Sequence, residues 1–353
     1  MASASAVREG GARAAARRLL SGRRLLRTLR YLAAVLYLGA LAALCLADRS
    51  GPERFWWSTA NLYAPQWLWA LPAAALLLTL LRRSRRAWLA LLPLLWVLGP
   101  AMGFHWSLRS GSTGAPGCLR LVTYNIATKW DSPAVDRELR RLAPDLVCLQ
   151  ESGAPPQLPP LLRSGWHLAG ISGCIVASRY PLAEISVRSL RGGPEWRRYV
   201  RCRVLAPRGA VTLYNLHLDT PRDSLAAVLR RGPAALPQLQ EEAGARVFRA
   251  AAIAEELRAE RGPVLIAGDF NAPARSLVHR TLRGAGFRDA FAERGRGYGY
   301  TYGHATRLGH SFVRIDHILV SPALEVERCW TGSPDGSDHR AVVADLRLPG
   351  SSE

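Results

Sequence analysis

Acidic residues are almost missing from the first third of this 353-residue chain. Met1 to Gly117 hold 3 Asp and Glu against 15 Lys and Arg, a net of +12, whereas the remainder holds 24 against 32, a net of +8. The larger excess lies beside apolar segments, which speaks for membrane orientation before nucleic acid. From Cys118 onward the chain has no long basic arm that would commit it to nucleic acid, although an anionic substrate is compatible with it. No CxxC pair and no Cys/His zinc spacing occurs, which removes the usual zinc and dithiol sites. Of six cysteines, Cys45 falls in an apolar segment, and Cys148, Cys174 and Cys202 fall in strand-like runs where Cys serves as a small hydrophobe. An exported domain permits disulfides, but five cysteines leave at least one unpaired. No lipobox precedes Cys45, because Leu44 stands where a small residue is needed. Internal repeats are absent apart from an Arg/Leu/Ala bias near the N-terminus.

Long apolar runs are present, and there are three: Tyr31 to Ala47, Trp67 to Leu81 and Ala87 to Phe104. A spanning helix needs about 17–25 mostly apolar residues, which the first and third meet and the second reaches with the flanking Tyr63 to Gln66, so each predicts a transmembrane helix. Arg23, Arg24, Arg27 and Arg30 precede the first run and "RRSRR" (Arg82 to Arg86) separates the second from the third. Positive loops stay cytoplasmic, so the loop with Trp56, Trp57 and Trp67 faces outward, and so does everything after the third span. A cleaved signal peptide and a soluble helical hairpin are the competing readings of these segments. The expected organisation is a basic cytoplasmic N-terminus (1–30), a membrane anchor of three transmembrane helices (31–106), a Gly/Ser-rich linker (107–117) and a catalytic domain (118–349).

In that last part, "CLRLVTYN", "LVCLQ", "SGCIVAS", "RRYVRCRVLA", "GAVTLYNLH", "PVLIAGD", "RIDHILV" and "RAVVADLRL" read as strands. "PAVDRELRRLAP" and "EEAGARVFRAAAIAEELRAERG" read as helices. Strands that follow one another directly favour mixed sheets with helices outside. "LIAGDFNAP" places Asp269 and Asn271 on one face of a strand end, with Phe270 on the other. That suits a cation or phosphate site, and also an ordinary turn. Asn125, Glu151, His217, Asp269, Asn271, Asp316, Asp338 and His339 all fall at or near the ends of apolar strands. Eight residues of acid–base or metal-ligating type in one structural position predict one convergent pocket.

The order "TYNI", "LQES", "NLHLD", "GDFNAP", "RIDHIL", "GSDHRAVVADL" resembles the endonuclease/exonuclease/phosphatase superfamily, the DNase I-like fold, over nearly all of Cys118 to Leu348. The resemblance implies an α/β four-layer sandwich of two packed sheets with the site at their common edge. It also implies hydrolysis of phosphate esters with a divalent metal, Mg²⁺ or else Mn²⁺. Metal ligation falls to Glu151, Asn125 and Asp338; catalysis to His339 as general base, Asp316 holding its ring, His217, Asp269 and Asn271; substrate contact to Asn271 and His217. Each has a plainer alternative: Asn125 and Glu151 as caps, Asp316 as a turn acid beside His317, His217 as a half-buried histidine. Arg198 and Arg201 lie in an Arg-rich strand whose outer face is solvated, and "GYGYTYG" with His304 and His310 reads as a loop that shapes the pocket.

Three spans with an outward domain resemble, by architecture alone, a membrane-anchored bacterial subgroup linked to glycopeptide-antibiotic resistance. The resulting expectation is an integral, multi-pass cell-membrane enzyme with an extracytoplasmic catalytic domain acting on a lipid-linked phosphate. The alternatives are a tethered extracytoplasmic nuclease acting on nucleic acid, and a non-catalytic membrane scaffold that keeps the fold.

Overall fold

A computed structural model describes residues 2–81, 91–107, 117–154, 157–193 and 198–349. The chain divides into two compact units, one made of Met1–Leu46 with Trp69–Trp96, the other of Ala47–Leu68 with Val97–Glu353. Four helices come first: α1 Ala2–Ser50, α2 Trp56–Leu62, α3 Ala70–Leu81 and α4 Leu91–Trp96.

Within the first unit, Tyr37 Oη of α1 donates to Trp69 O at 2.7 Å, and Leu32, Val35, Leu36 and Leu38 are exposed. Arg24–Ser50 is the one stretch among the described residues long and apolar enough to cross a membrane. The expectation of three spans is therefore corrected to one N-terminal apolar helix. The second run yields only the 12-residue α3, preceded by a 3₁₀ turn at Gln66–Trp69. Among the described residues the third yields six α-helical residues, then a π-helical turn, Val97–Ala101, around Pro100. Proline lacks the N–H that would continue an α-helical ladder, so an apolar window containing Pro93 and Pro100 need not be one helix. Arg82 to Arg86, the start of the third run and most of the linker fall outside the described residues.

The second unit carries the strands, in chain order β1 His105–Trp106, β2 Leu119–Asn125, β3 Leu146–Gln150, β4 His167–Ile171, β5 Cys174–Ser178, β6 Leu182–Ser189, β7 Arg198–Ala206, β8 Gly209–His217, β9 Val264–Asp269, β10 Arg288–Asp289, β11 Arg296–Gly297, β12 Asp316–Val320, β13 Glu325–Thr331 and β14 Val342–Arg347. Its helices are α5 Pro133–Leu142, α6 Arg222–Arg231, α7 Leu236–Ala259, α8 Leu277–Arg283 and α9 Ala290–Arg294. One six-stranded sheet has the order β10-β12-β9-β8-β7-β6, the other β13-β14-β2-β3-β5-β4, and β1 pairs with β11. The pairs β2/β3 and β8/β9 are parallel and the others antiparallel, so both large sheets are mixed.

Alternation along the strands builds the layers. Leu121, Cys148, Val176, Cys202, Leu213, Leu265, Ile318 and Ala344 point between the sheets and form a shared dry core. Val122, Tyr124, Val147 and Leu149 point outward and are covered by Val135, Leu139 and Leu142 of α5. Tyr214, Leu216 and Ile266 are covered by Ala250, Ile253 and Leu257 of α7 and by Val278 and Leu282 of α8. The result is helix, sheet, sheet, helix: the four-layer α/β sandwich.

Two parallel crossovers set the site. Parallel strands share a carboxyl end, so the residues ending β2 and β3, and those ending β8 and β9, emerge side by side. Beneath them a buried amide bridge ties the sheets together. Gln150 Nε2 donates to Asn215 Oδ1 at 2.7 Å, and Asn215 Nδ2 donates to Leu149 O at 3.0 Å and Ile175 O at 2.8 Å.

Candidate active site

At the shared edge Asn125 spans the two sheets. Its Nδ2 donates to Glu151 Oε1 at 3.1 Å and to Asp269 Oδ2 at 3.0 Å, while its Oδ1 accepts from Ala127 N at 3.0 Å. His217 pairs in register with Asp269, and its Nε2 lies 3.8 Å from both Asp269 Oδ2 and Glu151 Oε1. Asp316, first residue of β12, stands opposite Asp269 on the other side of β9. Its carboxylate accepts from His339 Nδ1 at 2.9 Å, with the second oxygen at 3.2 Å. The other nitrogen of His339 lies 3.8 Å from Asp269 Oδ2. Asp269 is thus the hub of the group.

Two backbone features sharpen this geometry. Glu151 and Asn271 are left-handed, at φ +50° and +48°, a region that costs a non-glycine residue roughly 1–3 kcal/mol and recurs at functional sites. Gly268, at φ +148°, lies so close to β8 that an added Cβ would sit 1.8 Å from Leu216 O. Only glycine lets β9 approach closely enough to set Asp269 beside His217.

Asn271 grips Asp269 with two groups: its backbone N–H donates to Oδ1 at 2.8 Å and its Nδ2 to Oδ2 at 3.3 Å. The same Nδ2 donates to Leu218 O at 3.0 Å. Phe270 is fully buried behind them, its ring 5.1 Å from that of His317. Asp338 is brought to the same rim but shares no hydrogen bond with Glu151 or Asn125. Its carboxylate accepts from Ser337 Oγ at 3.4 Å and lies 3.9 Å from Arg222 Nη2.

Charge is concentrated here. Burial alone would lower the His339 pKa, but the carboxylates of Asp316 and Asp269 overcome it and raise it to about 10. Burial, then the neighbouring Asp316, raises the pKa of Asp269. Two buried acids and one imidazole form a strongly basic cluster. Glu151, whose side chain is 41 % exposed, opens onto a groove with Ser172, Arg198 and His217. A carboxylate facing solvent beside other hard oxygen donors fits Mg²⁺, which keeps much of its water shell.

A second cluster, His279, Asp289 and His317, also brings ligand-type atoms together. There Arg314 already grips Asp289 through two nitrogens, at 3.1 and 2.8 Å, so a guanidinium takes the cation's place. His317 sits in that network, with Nε2 2.8 Å from Ala272 O, on the face away from Asp316.

Further residues surround the site: Tyr302 belongs to the "GYGYTYG" loop expected to shape the pocket, whereas the sequence assigns no role to Arg222, Ser337 and Arg246. The Tyr302 ring lies 5.0 Å from that of His339, and Arg222 Nη2 donates to Tyr302 Oη at 3.2 Å. Ser337 Oγ donates to Asn125 O at 2.7 Å, tying the "SDH" turn to β2. Arg246 of α7 reaches Asn271 O. Its signal was visible: it lies on the stripe Leu239, Ala243, Arg246, Ala250, Ile253, Leu257, the one charge on a buried helical face. Arg201 pairs with Glu260, whereas Arg198 lines the groove beside Glu151.

The sequence model described as "Endonuclease/Exonuclease/phosphatase family" matches residues 122–339. No curated protein sequence matches the chain. Among solved structures, the 3′ phosphatase NExo from Neisseria bound to product DNA hairpin is 20% identical at a TM-score of 0.51, covering 65% of this chain and 100% of its own. The endonuclease/exonuclease/phosphatase from Beutenbergia cavernae is 24% identical at a TM-score of 0.46, covering 67% and 72%. Truncated TDP2 from Caenorhabditis elegans is 17% identical at a TM-score of 0.49, covering 65% and 98%.

Proposed function

The chain belongs to the endonuclease/exonuclease/phosphatase family and is a metal-dependent phosphoesterase, and from that premise we propose that it acts on a lipid-linked phosphate at the outer face of a cell membrane, splitting a terminal phosphoryl group from its ester or anhydride oxygen. The observation that carries this reading is a groove beside Asn271, lined by Tyr63, Leu225, Leu229, Phe312, Val313 and Ile315. Leu229 is 88 % exposed there, and the lining is mainly apolar, as a groove for an aliphatic chain requires. An aliphatic chain would lie in the groove with its phosphate at Asn271 and His339. The apolar α1 supports membrane attachment, and the arginines that precede its apolar stretch favour the catalytic unit on the outer side.

The roles follow from the contacts. His339 accepts the proton of the attacking water at Nε2, because Asp316 holds the Nδ1 side and fixes the tautomer. Nearby carboxylates hold the imidazole protonated at neutral pH, so its base form is a minor fraction that grows as pH rises, and they stabilise the imidazolium once it forms again. Asn271 donates Nδ2 to a phosphoryl oxygen; the longer bond, to Asp269, is the one exchanged. His217 meets the departing or equatorial oxygen from the opposite side of Asp269. Asn125 keeps the Glu151 and Asp269 carboxylates at a common amide. Glu151, with Asp338 and with Asn125 once its amide is reversed from the orientation that donates to Glu151, would hold Mg²⁺, which when bound would offset phosphoryl charge and acidify water.

The test uses the full-length chain in detergent, since Ala47–Leu68 and Val97–Ser107 belong to the catalytic unit. Phosphate release from a polyprenyl diphosphate and nicking of plasmid DNA are followed side by side, with Mg²⁺ and with EDTA. Metal-dependent phosphate release that His339→Ala abolishes and Leu225→Asp weakens through KM is the expected result. Nicking lost in His339→Ala, without phosphate release, would make the protein a tethered nuclease and overturn the lipid reading.

A further inference from the structure

The segment between the first two apolar runs packs against the stretch that leaves the GDFN strand. Four contacts pin it there. Asp48 pairs with Arg275 at 2.5 Å, and Arg280 Nη1 donates to Arg49 O at 3.3 Å. The Glu53 carboxylate accepts from Leu277 N, the first residue of α8, at 2.8 and 2.9 Å. Tyr63 Oη, just past α2, donates to Asn271 O at 3.0 Å. The fit is close: at Gly51, φ +117°, an added Cβ would lie 2.6 Å from Leu277 Cδ1.

The fourth contact reaches the site itself. Arg246, only 4 % exposed, donates through Nε to Asp219 O at 2.9 Å, through Nη1 to Tyr63 Oη at 2.8 Å, and through Nη2 to Asn271 O. The carbonyl of Asn271 therefore receives a phenol O–H and a guanidinium N–H together. Those donors fix the peptide after a residue held at φ +48°, a conformation its neighbours must over-determine if it is to persist. The same residue carries the two donors that aim Asp269. Burial raises the Tyr63 pKa despite Arg246, so the phenol keeps its proton and remains a donor.

We infer that Tyr63 and Arg246 are positioning residues that act through Asn271, so that a segment outside the recognised family region completes the active site. The inference rests on the role given above to Asn271. Without the clamp, Asn271 relaxes toward negative φ and its amide leaves Asp269 and the phosphate position; the fold itself does not depend on it.

A double-mutant cycle in the full-length chain tests this, with Tyr63→Phe and Asn271→Ala singly and together, and with polyprenyl diphosphate and plasmid DNA as substrates. Losing one donor to Asn271 O should lower kcat about tenfold and leave KM within about twofold, with the thermal midpoint lower by a few degrees because Arg246 Nη1 loses its buried acceptor. In the Asn271→Ala background Tyr63→Phe should add much less than in the wild type, because the side-chain amide it positions is gone and only the backbone N–H to Asp269 remains. Arg246→Lys, which keeps the charge and an N–H donor, should fall between wild type and Arg246→Met, which keeps neither. An equal loss from Tyr63→Phe in both backgrounds, or wild-type kcat in the single variant, overturns the inference. Asn271→Ala at wild-type rate beside a dead His339→Ala would instead overturn the role of Asn271. Amide hydrogen exchange supplies a readout independent of turnover: Tyr63→Phe should speed exchange across 270–277 and leave β12 and β14 unchanged. Unchanged exchange across 270–277 overturns the inference whatever the substrate.

Discussion

Replacing Asp316 by Asn keeps size and shape while removing one charge, at a contact where the structure lets the consequence be worked out. His339 Nδ1 and Asp316 Oδ2 are 2.9 Å apart and both side chains are buried. At an effective dielectric of 20, unit charges at that separation attract by about 6 kcal/mol, an upper figure because desolvation opposes it. About 1.4 kcal/mol corresponds to one decade in rate, so forfeiting most of that attraction as the imidazolium forms costs about four decades. The same Asp-to-Asn change in the serine-protease triad costs ~10⁴ in kcat by leaving the wrong tautomer, and the two routes agree. We therefore expect Asp316→Asn to lower kcat by about 10³–10⁴ at little change in KM, measured as phosphate release from polyprenyl diphosphate micelles. Stability at pH 7 should fall, because the raised pKa of His339 is a stabilising contribution that Asp316 largely supplies, partly offset by the relieved repulsion between Asp316 and its register partner Asp269. A variant that keeps more than about a tenth of the wild-type rate would show that Asp316 does not prepare His339 as the base.

Other expectations follow from the remaining groups. Glu151→Gln should demand far more Mg²⁺ for the same rate, by at least ~10-fold in a Mg²⁺ titration, because one hard anionic donor is lost; an unchanged titration would remove Glu151 from the cation site. His317 tests linkage. Burial first, then His279 and Arg314, lower its pKa from 6.5 to about 3. Below pH 6.5 the unfolded chain therefore takes up a proton that the folded chain refuses, and stability falls as pH falls through the window from 6.5 toward 3. Going from pH 7 to pH 5 should cost about 2 kcal/mol from this residue, read by urea unfolding of the catalytic unit with tryptophan fluorescence. His317→Leu should flatten that slope, and an equal slope in the variant would contradict the assignment.

Much of the site was legible because its chemistry sits where apolar runs stop. "LVCLQ" is bounded by a proline turn and a polar stretch, and β3 occupies Leu146–Gln150 as that pattern implies. Asn125, Glu151, His217 and Asp269 followed from strand ends alone, and parallel pairing is what makes such ends converge. β13 was missed: in "EVERCWT" only Val326 and Cys329 are buried, so an edge strand carries little periodic signal. Apolar content overstated the membrane spans because hydropathy does not register what Pro93 and Pro100 do to a helical ladder. Tyr63 was illegible for another reason. Its partner Asn271 lies 208 residues away, and no local pattern encodes a contact at that range.

That separation has a consequence in time. The segment holding Glu53 and Tyr63 leaves the ribosome early, while Leu277 and Asn271 follow 224 and 208 residues later. Contacts of such span form only after a long loop has closed, and they slow the last step of assembly. During synthesis the early segment has no docking surface, and its phenol and carboxylate must stay in water until the GDFN strand exists. Catalytic competence therefore arrives late and at once, when the final third of the chain folds back onto residues made near the beginning.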